Sequence, residues 1–131
     1  VDVLTRLSDE HEALRAHLER IQIAAEARDD QALIEALRAA REVLTSELDA
    51  HIALEEGAFH DVVEALGVGL FAPFHEEHIE IRRVRDGVIT ALENGAAPHT
   101  TALWLCELIL GHQQREDLML FPSAREVMSS R

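Results

Sequence analysis

A chain of 131 residues with 25 acidic side chains against 12 arginines and no lysine has a formal charge of -13. That charge repels phosphate backbones and anionic lipid, which excludes nucleic acid and membrane surfaces as expected partners. The length suits one domain over residues 1–131, and the lone Cys106, with no apolar run near the roughly 20 residues of a membrane span, makes a soluble, cytoplasmic protein the expectation. The chain opens on Val1 with no signal-peptide pattern, so an upstream start codon, leader or neighbouring domain belongs to the same expectation. Most of the acids read as solvated surface, but eight histidines in a tyrosine-free chain exceed what packing requires.

The first element in chain order is a helix over 2–28, with Leu4, Leu7, His11, Leu14, Leu18, Ile21 and Ala25 recurring by threes and fours. Asp29-Asp30 makes a turn and caps a second helix over 31–66, whose inner side carries Leu33, Leu37, Ala40, Leu44, Leu48, His51, Glu55, Phe59, Val62 and Leu66. Gly67 and Gly69 end it, and Leu70-Phe71-Ala72 leads to Pro73 in the first turn of a third helix over 73–93. Phe74, His75, His78, Ile81, Val84, Val88 and Leu92 face the core there, and Asn94-Gly95 stops the helix. After a loop through His99, Thr100 or Thr101 caps a fourth helix over 101–121, with Leu105, Leu108, Ile109, His112, Glu116 and Met119 inward. Pro122 breaks the pattern, leaving 123–129 as one more helical turn or two. The fold class is all-α, an up-down-up-down four-helix bundle with a short C-terminal extension.

His51 and Glu55 lie four residues apart, one above the other on a helix, where both can reach one cation. The spacing recurs at His112 and Glu116, and the two stretches align without a gap, Phe59 falling on Leu120. Asp9-Glu10-His11 likewise resembles Glu76-Glu77-His78, so the chain is a repeat of two helix pairs. At about 1.5 Å per residue, His11, His51, Glu55, His75, His78, His112 and Glu116 fall within roughly 20 Å of one end of the bundle. Coordination resolves the cost of so many polar groups in an apolar interior. Imidazole and carboxylate without thiolate suit iron, manganese or zinc, and seven ligands exceed what one structural zinc needs. Glu55 and Glu116 are placed to bridge two ions. His17, His60 and His99 read as surface or supporting residues and Cys106 as an ordinary semi-buried thiol, while Gly57 and Gly111 either allow close helix approach or serve no particular purpose.

Nearly the whole chain resembles the hemerythrin family, specifically the bacterial hemerythrin-like HHE cation-binding domains. The marks are Asp9-Glu10-His11, His51-x-x-x-Glu55-Glu56, Glu77-His78 and His112-x-x-x-Glu116-Asp117 followed by Leu120-Phe121-Pro122. The resemblance carries ligand roles to His11, His51, Glu55, His78, His112 and Glu116. It implies a non-haem di-iron centre, two Fe ions joined by two carboxylates and an oxo or hydroxo group, that binds or senses O2, peroxide or nitric oxide. Manganese and zinc are the possible substitutes. Hemerythrins proper place a histidine where this chain has Phe74, for which His75 is the expected substitute ligand; they also use an aspartate at the position of Asp117, where Glu116 has the better spacing. A pocket lined by Phe59, Phe74, Ile81 and Met119 is expected to admit a diatomic molecule. A binding or sensing protein is the leading expectation, with an enzyme decomposing peroxide or reducing nitric oxide, or an iron store or donor, as alternatives.

Overall fold

Four helical rods form a ring, each antiparallel to its neighbours, as the all-α bundle requires. The computed structural model describes residues 2–66 and 68–129, the side chains of 61–66, 68 and 70 excepted; the inward positions Val62 and Leu66, the stop at Gly67 and the link residue Leu70 lie outside the described side chains. The first rod is α1 (Val3–Glu26). The second is α2 (Asp30–Glu42), a π-helical turn (Val43–Glu47) and α3 (Leu48–Leu66), which run on without a break. The third is α4 (Val68–Glu93), and the fourth is α5 (His99–Arg115), a second π turn (Glu116–Leu120) and α6 (Phe121–Ser129). Among the described residues no helix is long and apolar enough to cross a membrane.

Side-chain caps start the first two rods. Asp2 accepts from the Thr5 amide at 2.8 Å and Asp29 from the Ala32 amide at 3.0 Å, supplying orphan N–H groups with acceptors. The first and third rods end alike. Asp29 N–H donates to Ala24 and Arg28 N–H to Ala25; Ala96 N–H donates to Ala91 and Gly95 N–H to Leu92. Both are Schellman closures with the residue after the cap in the left-handed region, Gly95 at φ 79° and Arg28 at φ 55°.

Three expected boundaries move. The third rod begins at Val68 instead of at Pro73, so Gly69 and Pro73 lie inside α4; the lost Pro73 amide forfeits one bond, which the packed helix absorbs. Pro98 takes the cap position of α5 in place of Thr100 or Thr101, its carbonyl receiving the Ala102 amide at 2.8 Å, and His99 becomes helical. Pro122 does not break the fourth rod: it falls on the second residue of α6, just past a π turn whose longer pairing sends the Phe121 amide to the Glu116 carbonyl. That turn also adds a residue to the register, so Leu120 is buried at 1% exposure and Met119, expected inward, stands 56% exposed.

Apolar side chains fill the bundle in two blocks. One runs from Leu14 through Leu48 and Ile81 to Ile109, and the other gathers Leu4, Leu7, Phe59, Phe74, Leu120 and Phe121 at the opposite end. Each rod therefore passes from one apolar block to the other through a short polar stretch: His11, Glu55, His78, and His112 with Glu116, all buried. The π turn in the second rod is tied down by Arg85, 6% exposed, which donates to the Leu44 carbonyl at 3.1 Å and to Asp49 at 2.7 Å. Among the described residues Gly57 meets no neighbour where a side chain would begin, and Gly111 meets only the flexible Arg115 guanidinium, so neither serves a close helix approach there.

The two Schellman ends give a paired expectation. Arg28→Gly removes the strain of a side chain in the left-handed region and raises stability by about 0.5–1 kcal/mol, whereas Gly95→Ala introduces it and lowers stability by about 1 kcal/mol. Urea denaturation of both variants checks the opposite signs.

Candidate metal centre

The polar stretches of the four rods meet in one layer. His11, His51, Glu55 and Glu116 place one ligand atom each within 4.8 Å of one another, and so do Glu55, His78, His112 and Glu116. Both carboxylates belong to both sets. Within the first set Glu116 Oε1 lies 3.0 Å from His11 Nε2 and Glu55 Oε2 lies 3.3 Å from His51 Nε2. In the second, Glu55 Oε1 lies 2.9 Å from His78 Nε2 and Glu116 Oε2 lies 2.9 Å from His112 Nε2. Each carboxylate thus turns one oxygen to each histidine pair.

These contacts are close but are not aligned hydrogen bonds. All four oxygens of Glu55 and Glu116, together with His11 Nε2, are buried without a hydrogen-bond partner among the described residues. Two wholly buried carboxylates left in that condition would be strongly destabilising. The spacing fits cations. With metal–ligand bonds of about 2.0–2.1 Å, neighbouring donors stand about 2.9 Å apart at right angles and about 3.4 Å apart at the tetrahedral angle. The contacts of 2.9–3.3 Å, and the 3.0 Å between His78 Nε2 and His112 Nε2, lie in that range.

The far side of every imidazole supports the same arrangement. Nδ1 of His11 donates to Asp117 at 3.2 Å, that of His51 to Glu10 at 2.9 Å, that of His78 to Glu56 at 3.1 Å and that of His112 to Glu77 at 2.7 Å. An imidazole whose Nδ1 proton is held by a carboxylate keeps its Nε2 lone pair for a metal and becomes a more basic ligand. The pattern obeys the internal repeat. Glu10 on α1 serves His51 on the second rod as Glu77 on α4 serves His112 on the fourth; Glu56 serves His78 as Asp117 serves His11. Aromatic rings press on the imidazoles from the apolar end: Phe121 stacks on His11, and Phe74 and Phe71 set their edges against His112 and His78.

Of the seven residues expected to hold metal, six converge and His75 does not. Its side chain is 50% exposed, and its Nδ1 donates to Glu56 at 2.6 Å, on the same oxygen that receives His78. His75 thus supports the layer from outside, in the place that arginines take elsewhere: Arg6 on Glu10, Arg15 on Asp117 and Arg115 on Glu77. Asp117 holds His11 from behind while Glu116 points inward. His99 pairs with Asp30, His60 is exposed, and Cys106 is fully buried, with burial pushing its thiol up to about 12. Phe59 and Phe74 lie in the apolar block beside the layer and Ile81 in the other, whereas the exposed Met119 lines no interior pocket.

Protons stand in for cations in the metal-free layer. Burial drives the Glu116 carboxyl up to about 10, and the charge of Glu55 adds to this. Glu55 is held below the ordinary range because contacts with Glu116, His51 and His78 outweigh its own burial. Two carboxylates this close keep a single proton between them. Burial opposes charge on His78, but Glu116 and Glu55 prevail and raise it to about 9. Burial and the neighbouring His51 pull His11 down to about 4, so His11 is neutral at pH 7.

The protonation pattern fixes a sign. His78 and Glu116 bind protons more tightly folded than unfolded, so the stability they add is present below their ordinary values and is lost as pH rises through about 9 and about 10. The metal-free protein therefore melts at progressively lower temperature between pH 6.5 and 9, while metal affinity rises over the same window because binding expels about two protons. Calorimetry of the metal-free and loaded forms across that range checks the divergence. Glu77→Gln and Glu10→Gln, which weaken the hold on His112 and His51, are expected to lower metal affinity 10–100-fold. Glu116→Ala lowers the metal count, and His75→Ala leaves it unchanged, as elemental analysis of the purified variants would show.

The family model for the hemerythrin HHE cation binding domain matches residues 2–124. Comparisons with curated proteins and with solved structures gave no match. Two overlapping donor sets at the centre of a four-rod bundle, and a family match over nearly the whole length, agree that this is a metal-binding protein: the chain belongs to the hemerythrin HHE cation-binding domain family.

Proposed function

We propose that this protein holds two iron ions side by side, joined by Glu55 and Glu116, and uses them to bind or sense O2 or a related small oxidant in the cytoplasm. The observation that carries the reading is that the two donor sets share both carboxylates while each set has its own pair of histidines. One cation would need one set; a shared pair of carboxylates suits two cations, whose positive charge they offset. His11 and His51 would hold one ion, and His78 and His112 the other. When bound, the iron pair supplies reversible electron transfer to a small ligand. The protein's own groups keep the imidazoles oriented through Glu10, Glu56, Glu77 and Asp117, and the two apolar blocks flank the layer on either side along the bundle.

A second reading follows from the position of His75. Each donor set offers two imidazoles and two carboxylates, and no fifth protein donor joins either set among the described residues. A six-coordinate ion would keep two positions free of protein, which favours turnover of peroxide or nitric oxide over simple storage of a ligand.

Elemental analysis of protein purified without chelators, with an absorption spectrum, tests the proposal. The expected result is about two irons per chain with near-ultraviolet bands that change on reduction and return with O2. A count near zero for iron, manganese and zinc overturns it. Reduced protein mixed with O2 or peroxide separates the two readings: a lasting, reversible spectral change marks binding, and continuous loss of peroxide marks an enzyme.

A further inference from the structure

A cavity of about 290 Å³ opens between α1 and the second rod and reaches the polar layer at His11, His51 and His112. It therefore touches both donor sets, the first through His11 and His51 and the second through His112. His51 is the least sealed of the four inward imidazoles, its side chain 11% exposed against 2%, 1% and 7% for His11, His78 and His112. Glu10, the carboxylate that holds His51 from behind, lines the same cavity. Exposed Ala13 on α1 and exposed Glu47 and Ala50 on the second rod mark the mouth. The π turn supplies Val43 and Glu47, so it shapes both a wall and the rim.

Size and lining suit a cation that travels with its water. At about 30 Å³ for each water, a divalent ion with six of them fills roughly 180 Å³, which the cavity can hold. The deeper walls, Leu14, Val43, Leu48, Ile81 and Ile109, are apolar and offer such an ion no ligand on the way. Donors stand at the two ends, Glu47 and Glu10 toward the rim and the imidazoles at the floor. The one arginine in the lining, Arg6, is engaged by Glu10 at 3.2 Å, which leaves Glu47 to set the sign of the mouth. A chain of net charge -13 also raises the local concentration of cations at its surface. A second cavity, beside Asp117, differs on each count. Arg15 and Arg125 line it, no inward imidazole does, and Phe121, stacked on His11, stands in its wall.

We infer that the cavity between α1 and the second rod is the passage by which divalent cations enter and leave the layer, gathered at the mouth by the charge of Glu47 and handed from water to His51 at the floor. The inference rests on the metal reading and adds a route to it. The ion exchanges its waters one at a time for protein donors, and the apolar walls hold nothing that competes with the floor for it. Glu10 lies where the passage meets the floor, so it orients His51 and adds negative charge at the last step. Charge separates a cation from other users of the same space. A neutral molecule such as O2 gains nothing from Glu47, and an anion is repelled by it.

Cobalt(II), whose visible absorption reports its binding, makes the test when mixed by stopped flow with metal-free protein at low ionic strength. Glu47→Arg is expected to slow uptake by about threefold or more, and about 0.5 M salt should shrink the difference. Glu12→Arg makes the same change of charge on α1 beside the second cavity and should leave the rate within about 1.5-fold. Ala50→Trp narrows the mouth and should slow uptake, and release to excess chelator, by about fivefold or more each. The cobalt count at saturation stays that of the unaltered protein in all three variants, because none replaces an inward imidazole or carboxylate. Equal uptake rates for Glu47→Arg and Glu12→Arg, or unchanged uptake and release in Ala50→Trp, would overturn the assignment. Unaltered protein that takes up no cobalt at equilibrium overturns the metal reading and the passage together, whereas full binding at rates the variants do not alter overturns the passage alone.

Discussion

Two carboxylates, Glu55 and Glu116, lie at 0% exposure in the middle of a helical bundle and receive no aligned hydrogen bond. Their charge is the constraint around which the rest is arranged. An uncompensated buried carboxylate costs more than a small domain's margin of stability allows, so it must be met by protons or by cations. Four imidazole nitrogens converge on these oxygens, and the shared proton and the charged His78 show what the layer does in the absence of metal. Bound cations would replace those protons with a stronger and more directional partner.

Charge alternates outward from this centre. Carboxylates meet imidazoles, the imidazoles meet a second ring of carboxylates, and that ring meets Arg6, Arg15, Arg115 and His75. The alternation explains why a chain this acidic keeps part of its negative charge close to the core: Glu10, Glu56, Glu77 and Asp117 hold and orient the imidazoles instead of merely solvating the surface. The internal repeat places these supports in matching positions, and the symmetry fails at one point, where His75 stands in the place arginine occupies around the other three.

The bundle and the inward-facing imidazoles and carboxylates are legible because both are periodic. His51 and Glu55, and His112 and Glu116, sit one helical turn apart in matched context, and the stripe that carries them also carries the apolar core. His75 misled for a related reason. Three residues from His78 is near enough to the same face to suggest ligation, yet the rotation left over carries its side chain to solvent and Glu56. The π turns were invisible to a reading that assumes one period, so Met119 was placed inward where Leu120 lies, and Pro122 was read as a break. The supporting carboxylates stand out in the sequence only as parts of motifs, because their partners lie on other rods and sequence separation of up to 106 residues conceals the contact. The repeat held the missing signal: Glu10 matches Glu77, and Glu56 matches Asp117.

The central claim is that both carboxylates are shared by two ions. Anomalous X-ray diffraction from crystals of the iron-loaded protein, collected at the iron edge, measures this directly. The account predicts two peaks about 3–4 Å apart, each between one histidine pair and the two carboxylates, His11 with His51 and His78 with His112. A single peak, or a peak beside His75 and Glu56 with none between Glu55 and Glu116, would contradict it.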